Sequence, residues 1–76
     1  MNLIDFELRG EFIPLDALLK ATAVAHSGGA AKTLVADGHV LVDGQPESRK
    51  TCKIRAGQVV TVEMAHTRIR VHGPAL

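Results

Sequence analysis

The stretch "SGGAAKTLVADGHVLVDG", residues 27–44, contains a helix with marked ends and the strand and turn that follow it. Ser27 is the residue type whose hydroxyl accepts from the free N–H groups of a helix start, and Gly38 suits the left-handed position that closes one. Between them, Ala31, Leu34 and Val35 recur at helical spacing and predict a buried stripe. The other side is nearly bare, with Ala30, Thr33 and one long polar side chain, Lys32. After Gly38 the period changes. Val40 and Val42 alternate with their neighbours, and Asp43-Gly44 is a strong turn signal. The segment therefore predicts a helix over 28–37 and a strand over 39–43.

Upstream, "PLDALLKATAVA" predicts a first helix over 15–25. Pro14 fits a helix start, Asp16 sits favourably in the first turn, and Leu15, Leu18, Leu19 and Thr22 form one stripe. "LIDFELR" alternates Ile4, Phe6 and Leu8 with Asp5, Glu7 and Arg9, and reads as an added N-terminal strand that Gly10 ends. Downstream, strands are predicted over 51–55, 58–64 and 67–72. Cys52 and Ile54 face one way there and Lys53 and Arg55 the other; Val60, Val62 and Met64 form one set on the next strand; Ile69 and Val71 point inward on the last, with Arg68, Arg70 and His72 outward. The fold class is α+β: two helices packed on one small twisted, mostly antiparallel sheet with an added N-terminal strand. Phe6, Leu18, Leu19, Leu34, Val40, Val42, Cys52, Ile54, Val60 and Val62 are the expected core. The chain reads as a single domain over 1–76, with a core at 14–62, the added strand within 1–13, and a tail at 73–76.

The 76 residues include no Trp, no Tyr and only two Phe, so aliphatic side chains must build the core. A domain of this size buries only about 60% of the surface its unfolded chain exposes. One cysteine excludes an internal disulfide and is compatible with a reducing cytosol. No apolar run approaches the roughly 20 residues of a membrane helix. The acidic, charge-interrupted start is unlike a secretory signal. A cytoplasmic monomer without a membrane partner is expected.

The net charge of +1 hides an uneven distribution. Residues 1–47 carry three basic against seven acidic side chains, net −4, and residues 48–76 carry six against one, net +5. Four of the nine basic residues, Arg49, Lys50, Lys53 and Arg55, fall within seven positions. Clustered cations repel one another unless an anion relieves them, and phosphate does so, with arginine binding it bidentately. The competing explanation is a solvated edge strand whose lysines block unwanted pairing.

This order of elements, with these residues, resembles the RNA-binding domain named after ribosomal protein S four, also called the alpha-L motif. Leu18-Leu19, Ser27, Lys32, Gly38-His39-Val40, Val42-Asp43-Gly44, Lys50/Lys53 and Gly57-Gln58 stand at the places of the family pattern, over residues 14–62 or nearly two-thirds of the chain. The added strand and "SRKTCKI" look like the short stand-alone bacterial members. Most members carry Arg directly after the Ser, where this chain has Gly28. The resemblance implies a non-catalytic protein that clamps ribosomal or other structured RNA in a basic groove between the second helix and the basic strand. The expected RNA-binding residues are Ser27, Gly28, Gly29, Lys32, His39, Arg49, Lys50, Lys53 and Arg55. Arg68 and Arg70, outside the matching stretch, are expected to matter less.

At Ser27-Gly28-Gly29 the free N–H groups of a helix start would admit a phosphate closely, with Lys32 one turn on; an ordinary flexible cap is the alternative. Cys52 is expected to be a buried thiol. His26, His39, His66 and His72 lack metal-ligand spacing, and Asp5 and Glu7 have no pocket to share. No catalytic residue, cofactor, metal or small-molecule substrate is expected. Two other functions stay open: a helix-turn-helix DNA-binding protein, and a protein-interaction module that presents a strand edge.

Overall fold

The computed structural model describes residues 1–73, and each helix in it stops for a visible reason. The second, α2 (Gly28–Ala36), is capped by Ser27, whose Oγ accepts from the Ala30 N–H at 3.1 Å. Its far end closes with Gly38 at φ 78°, the Gly38 N–H reaching the Val35 carbonyl and the His39 N–H that of Leu34. The first helix, α1 (Leu15–Ala21), is shorter than the predicted 15–25. The Thr22 hydroxyl donates back to the Leu18 carbonyl at 2.9 Å, and Ala23 turns left-handed at φ 62°. The chain reverses there because Ala25 must enter the core, and its N–H reaches the Leu19 carbonyl. Ala23 bears a cost of about 1–2 kcal/mol for that backbone conformation.

Seven strands follow in chain order: β1 (Asn2–Glu7), β2 (Ile13–Pro14), β3 (Val40–Val42), β4 (Gln45–Pro46), β5 (Lys53–Ile54), β6 (Val59–Val62) and β7 (Thr67–His72). Five of them form a sheet in the order β1-β7-β6-β3-β4. Its pairs are antiparallel except β1–β7, which runs parallel from Asn2 opposite Thr67 to Glu7 opposite His72. The N-terminal strand thus forms one edge and ties the start of the chain to its last strand.

Two expectations about the sheet are corrected. The basic segment 51–55 is no member of it: Lys53 and Ile54 pair instead with Pro14 and Ile13, as a separate two-stranded unit. The alternation was real, since Ile54 is buried and Lys53 exposed, but alternation specifies faces and not partners. The strand predicted over 58–64 ends at Val62. A 3₁₀ turn over Glu63–Ala65 and a left-handed His66 reverse the chain into β7. Met64, expected on the same strand face as Val60 and Val62, falls in that turn and is 64% exposed.

Leu15, Leu18 and Leu19 of α1, Ala31 and Val35 of α2, and Val40, Ile54, Val60, Val62, Ile69 and Val71 of the strands form one buried cluster with Leu8 and Ala25. Phe6, Leu34, Val42 and Cys52 were expected to be mostly buried but pack only partly against it. On α2, Val35 takes the deeper position and Leu34 the flank. The predicted tail, beyond Gly73, lies outside the described residues.

Candidate nucleic-acid interface

Pro14 stands at the N-cap of α1 without a side-chain acceptor, so the helix start needs carbonyls from elsewhere. The basic segment supplies them. The Leu15 N–H donates to the Cys52 carbonyl and the Asp16 N–H to that of Lys50, both at 2.9 Å. With the β2–β5 ladder, these bonds fix the backbone of residues 50–54 while Lys50, Lys53 and Arg55 remain exposed. The next turn is also latched. Gln58 accepts from the Arg55 N–H at 2.7 Å and donates to Asp43 at 3.1 Å, and Asp43 accepts from the Val59 N–H at 2.9 Å. The two turn motifs, Val42-Asp43-Gly44 and Gly57-Gln58, are thereby bonded to each other, a link their separation in sequence concealed.

Three side chains converge beside this frame. Phe12, 39% exposed, lies beneath two cations, with Lys53 Nζ 4.9 Å and Arg55 Cζ 5.9 Å from its ring centroid. A shallow open depression alongside is lined by Arg49, Thr51, Cys52 and Lys53. Phe12 was missed at the sequence level. It enters only because Ile13 pairs with Ile54, a contact that no local pattern announces.

Arg49 is less free than its neighbours. Its guanidinium makes two contacts with Glu47, at 3.2 and 3.3 Å, and its N–H donates to the same carboxylate at 3.0 Å. Chiefly through the Arg49 side chain, then its backbone N–H, Glu47 is drawn down to a pKa of about 2. Partial burial, followed by a hydrogen bond with Glu47, pushes the Cys52 thiol pKa up, away from the thiolate form that acts as a nucleophile.

The residues expected from α2 form a second group. Ser27 is occupied as a cap, Gly28, Gly29 and Lys32 are exposed, and His39 is half-buried with its N–H in the helix closure. A Cβ at Gly28 would meet nothing within 4 Å, so the fold itself does not require glycine there. Among the described residues, no hydrogen bond, ion pair or depression joins this group to Arg49–Arg55. The basic segment bonds to the N-terminal end of α1 through the Leu15 and Asp16 N–H groups, whereas the α2 start follows the C-terminal end of α1 in the chain after six intervening residues. The exposed side of α2 offers a major groove little besides Lys32, because the Thr33 hydroxyl is turned back to the Gly29 carbonyl at 3.0 Å. That weakens the helix-turn-helix reading.

On the other cationic strand, β7, Arg70 and His72 are paired within the fold. Arg70 grips Asp5 through two contacts, at 2.9 and 3.2 Å, and His72 Nε2 lies 2.8 Å from the same carboxylate. These bonds, from His72 first and Arg70 second, lower the Asp5 pKa. No helix of the described residues is long and apolar enough to cross a membrane.

The sequence matches the S4 domain family over residues 6–71. It is 49% identical over 49 residues to the "Putative RNA-binding protein YbcJ" of Escherichia coli (strain K12), which covers 64% of this chain and 70% of that one. It is 40% identical over 53 residues to the "Probable ribosome maturation protein RlbA" of Bacillus subtilis (strain 168), covering 70% and 75% of the two chains. With the small ribosomal subunit protein uS4 of Protochlamydia amoebophila (strain UWE25) it shares 34% identity over 62 residues, 82% of this chain but only 30% of that protein. The family match is wider than 14–62 and takes in nearly all of β7. Arg68 and Arg70 therefore lie inside it, and the smaller role expected for Arg70 rests instead on its pairing with Asp5.

Proposed function

The chain belongs to the S4 domain family, and on that premise we propose that it is a non-catalytic RNA-binding module of the cytoplasm that acts as a monomer on structured RNA. Ribosomal RNA, mature or in assembly, is the favoured target. One relative is named as a ribosomal subunit protein and another for ribosome maturation.

The observation that carries this reading is the fixed basic segment. Its carbonyls cap α1 and its ladder pairs with β2, so Lys50, Lys53 and Arg55 present charge from a backbone that needs no further ordering. Preorganisation lowers the entropic cost of binding. The α2 start, with Gly28, Gly29 and Lys32, forms the second contact. Phosphates on either side of an RNA groove would meet one group each. Recognition then follows shape, since helical RNA conceals its base edges in a deep, narrow groove.

A mobility-shift titration with purified ribosomal RNA at low salt tests the proposal. A complex is expected that weakens steeply as salt rises, because each neutralised phosphate releases counterions. Absence of any complex at low salt would defeat the RNA-binding reading.

A further inference from the structure

We propose that Phe12 is a stacking platform for an unpaired RNA base, so that the preferred RNA carries a bulged or single-stranded nucleotide beside a helical segment. This rests on the RNA-binding reading above and names the class of RNA. The chain has two aromatic residues, and they are used differently: Phe6 packs against the core while Phe12 remains 39% exposed. The ring is not left there by a loose loop. Phe12 directly precedes Ile13, which pairs with Ile54, and Ile54 is flanked by Lys53 and Arg55. One short ladder therefore sets the ring and both cations together.

Without an anion, the two cations lie over the ring, 4.9 and 5.9 Å from its centroid. An exposed contact of that kind favours its geometry by about 2- to 5-fold. A phosphate gives each cation a charge-assisted hydrogen bond instead. Drawing them towards phosphate uncovers the ring, and a base stacked on an aromatic is worth about 5- to 150-fold in affinity. The exchange therefore favours the bound state. A base inside a duplex is already stacked and would have to leave the helix to reach Phe12. An unpaired base avoids most of that cost. The neighbouring depression, which shares Lys53 with the platform, leaves room for the sugar and phosphate of the displaced nucleotide.

The test uses a labelled RNA duplex, either fully paired or carrying one bulged adenosine, titrated with the wild-type chain, Phe12→Leu, Phe12→Trp and Lys53→Ala. The wild type is expected to prefer the bulged duplex. Phe12→Leu should lose about 5- to 150-fold on the bulged duplex and nothing on the paired one, with its salt dependence unchanged because no charge is removed. Lys53→Ala should lose affinity on both and flatten the salt dependence. Phe12→Trp should keep the preference, and its indole, unique in a chain without tryptophan, should be quenched by the bulged duplex alone. If Phe12→Leu fails to fold by circular dichroism, the tryptophan signal decides. Equal affinities of wild type and a folded Phe12→Leu for the bulged duplex, or unchanged indole fluorescence at saturation, would overturn the stacking role and leave RNA binding standing. A wild-type chain that binds neither duplex at low salt overturns both.

Discussion

The segment Arg49–Arg55 and the strand β7 are both rich in basic residues, alternate them with apolar ones over 52–55 and 68–72, and turn their cations to solvent. Their electrostatic situations differ. In β7, Arg70 and His72 share the Asp5 carboxylate across the parallel ladder, so the strand's charge helps hold the N-terminal edge in place. In the basic segment, among the described residues, only Arg49 is held, by Glu47 two positions away, while Lys53 and Arg55 meet nothing more anionic than the face of Phe12. A count of basic residues cannot separate the two. The separation depends on which carboxylates the fold brings alongside, and it turns one stretch into a structural clasp and the other into a surface that an anion would relieve.

The largest expected effect tests the support beneath the basic segment. Ile54 is fully buried, and Ile54→Ala should cost roughly 2–5 kcal/mol of a small domain's stability. Urea denaturation followed by circular dichroism measures this; a loss below about half a kcal/mol would mean the segment is not anchored through Ile54.

Next comes the comparison itself. Lys53→Ala with Arg55→Ala should weaken RNA binding by on the order of tenfold per residue, and each lost phosphate contact should reduce the log–log salt slope by about 0.7–0.9. Arg68→Ala with Arg70→Ala, checked for folding, should lose less. The opposite order in a mobility-shift series would put the RNA on β7. Asp5→Asn sharpens the same point: it frees Arg70 and should make RNA binding tighter and more salt-sensitive, at the expense of the β1 edge.

Glu47→Gln should release Arg49 and raise RNA affinity a few-fold, as read by the same titration. It also has a signature in acid. The Glu47 pKa is about 2 in the fold against an ordinary 4.5, so its stabilising contribution is present above about pH 4.5 and lost as pH falls towards 2. The glutamine variant should therefore show a flatter decline in melting temperature over that window. Its partner Arg49 is 75% exposed, and solvent screening keeps the effect small.

The smallest effect is a gain. Gly28→Arg places directly after Ser27 the arginine that the family resemblance leads one to expect, at a position where a side chain meets no obstacle. It should strengthen RNA binding modestly and stabilise α2 by at most about 1 kcal/mol. Unchanged affinity would place the α2 start outside the interface.

The limits of α2 could be read directly, because Ser27 and Gly38 act within a few residues of where they stand. The inward faces of Val60, Val62, Ile69 and Val71 were equally plain, since strand geometry repeats every two residues. The early end of α1 was less visible: Ala23 adopts a glycine-like conformation only because Ala25 is needed inside. In the candidate site, the cluster of cations was legible as composition, but the tie between Arg49 and Glu47 and the placement of Phe12 beneath Lys53 and Arg55 were not.

What the sequence determined by itself, then, were α2 with its caps, the starting position of α1, the faces of the strands and the location of the basic residues. Each follows from hydrogen bonding and burial within one or two turns of chain. Tertiary structure alone decided that β1 runs parallel to β7, that β5 leaves the main sheet for β2, and that Asp5 meets Arg70 from 65 positions away. Strand partners and ion pairs at such separations are chosen by the packing of the whole core, since any alternating segment presents the same row of backbone donors and acceptors to every other. The free cations and the exposed ring beneath them are what that choice leaves at the surface.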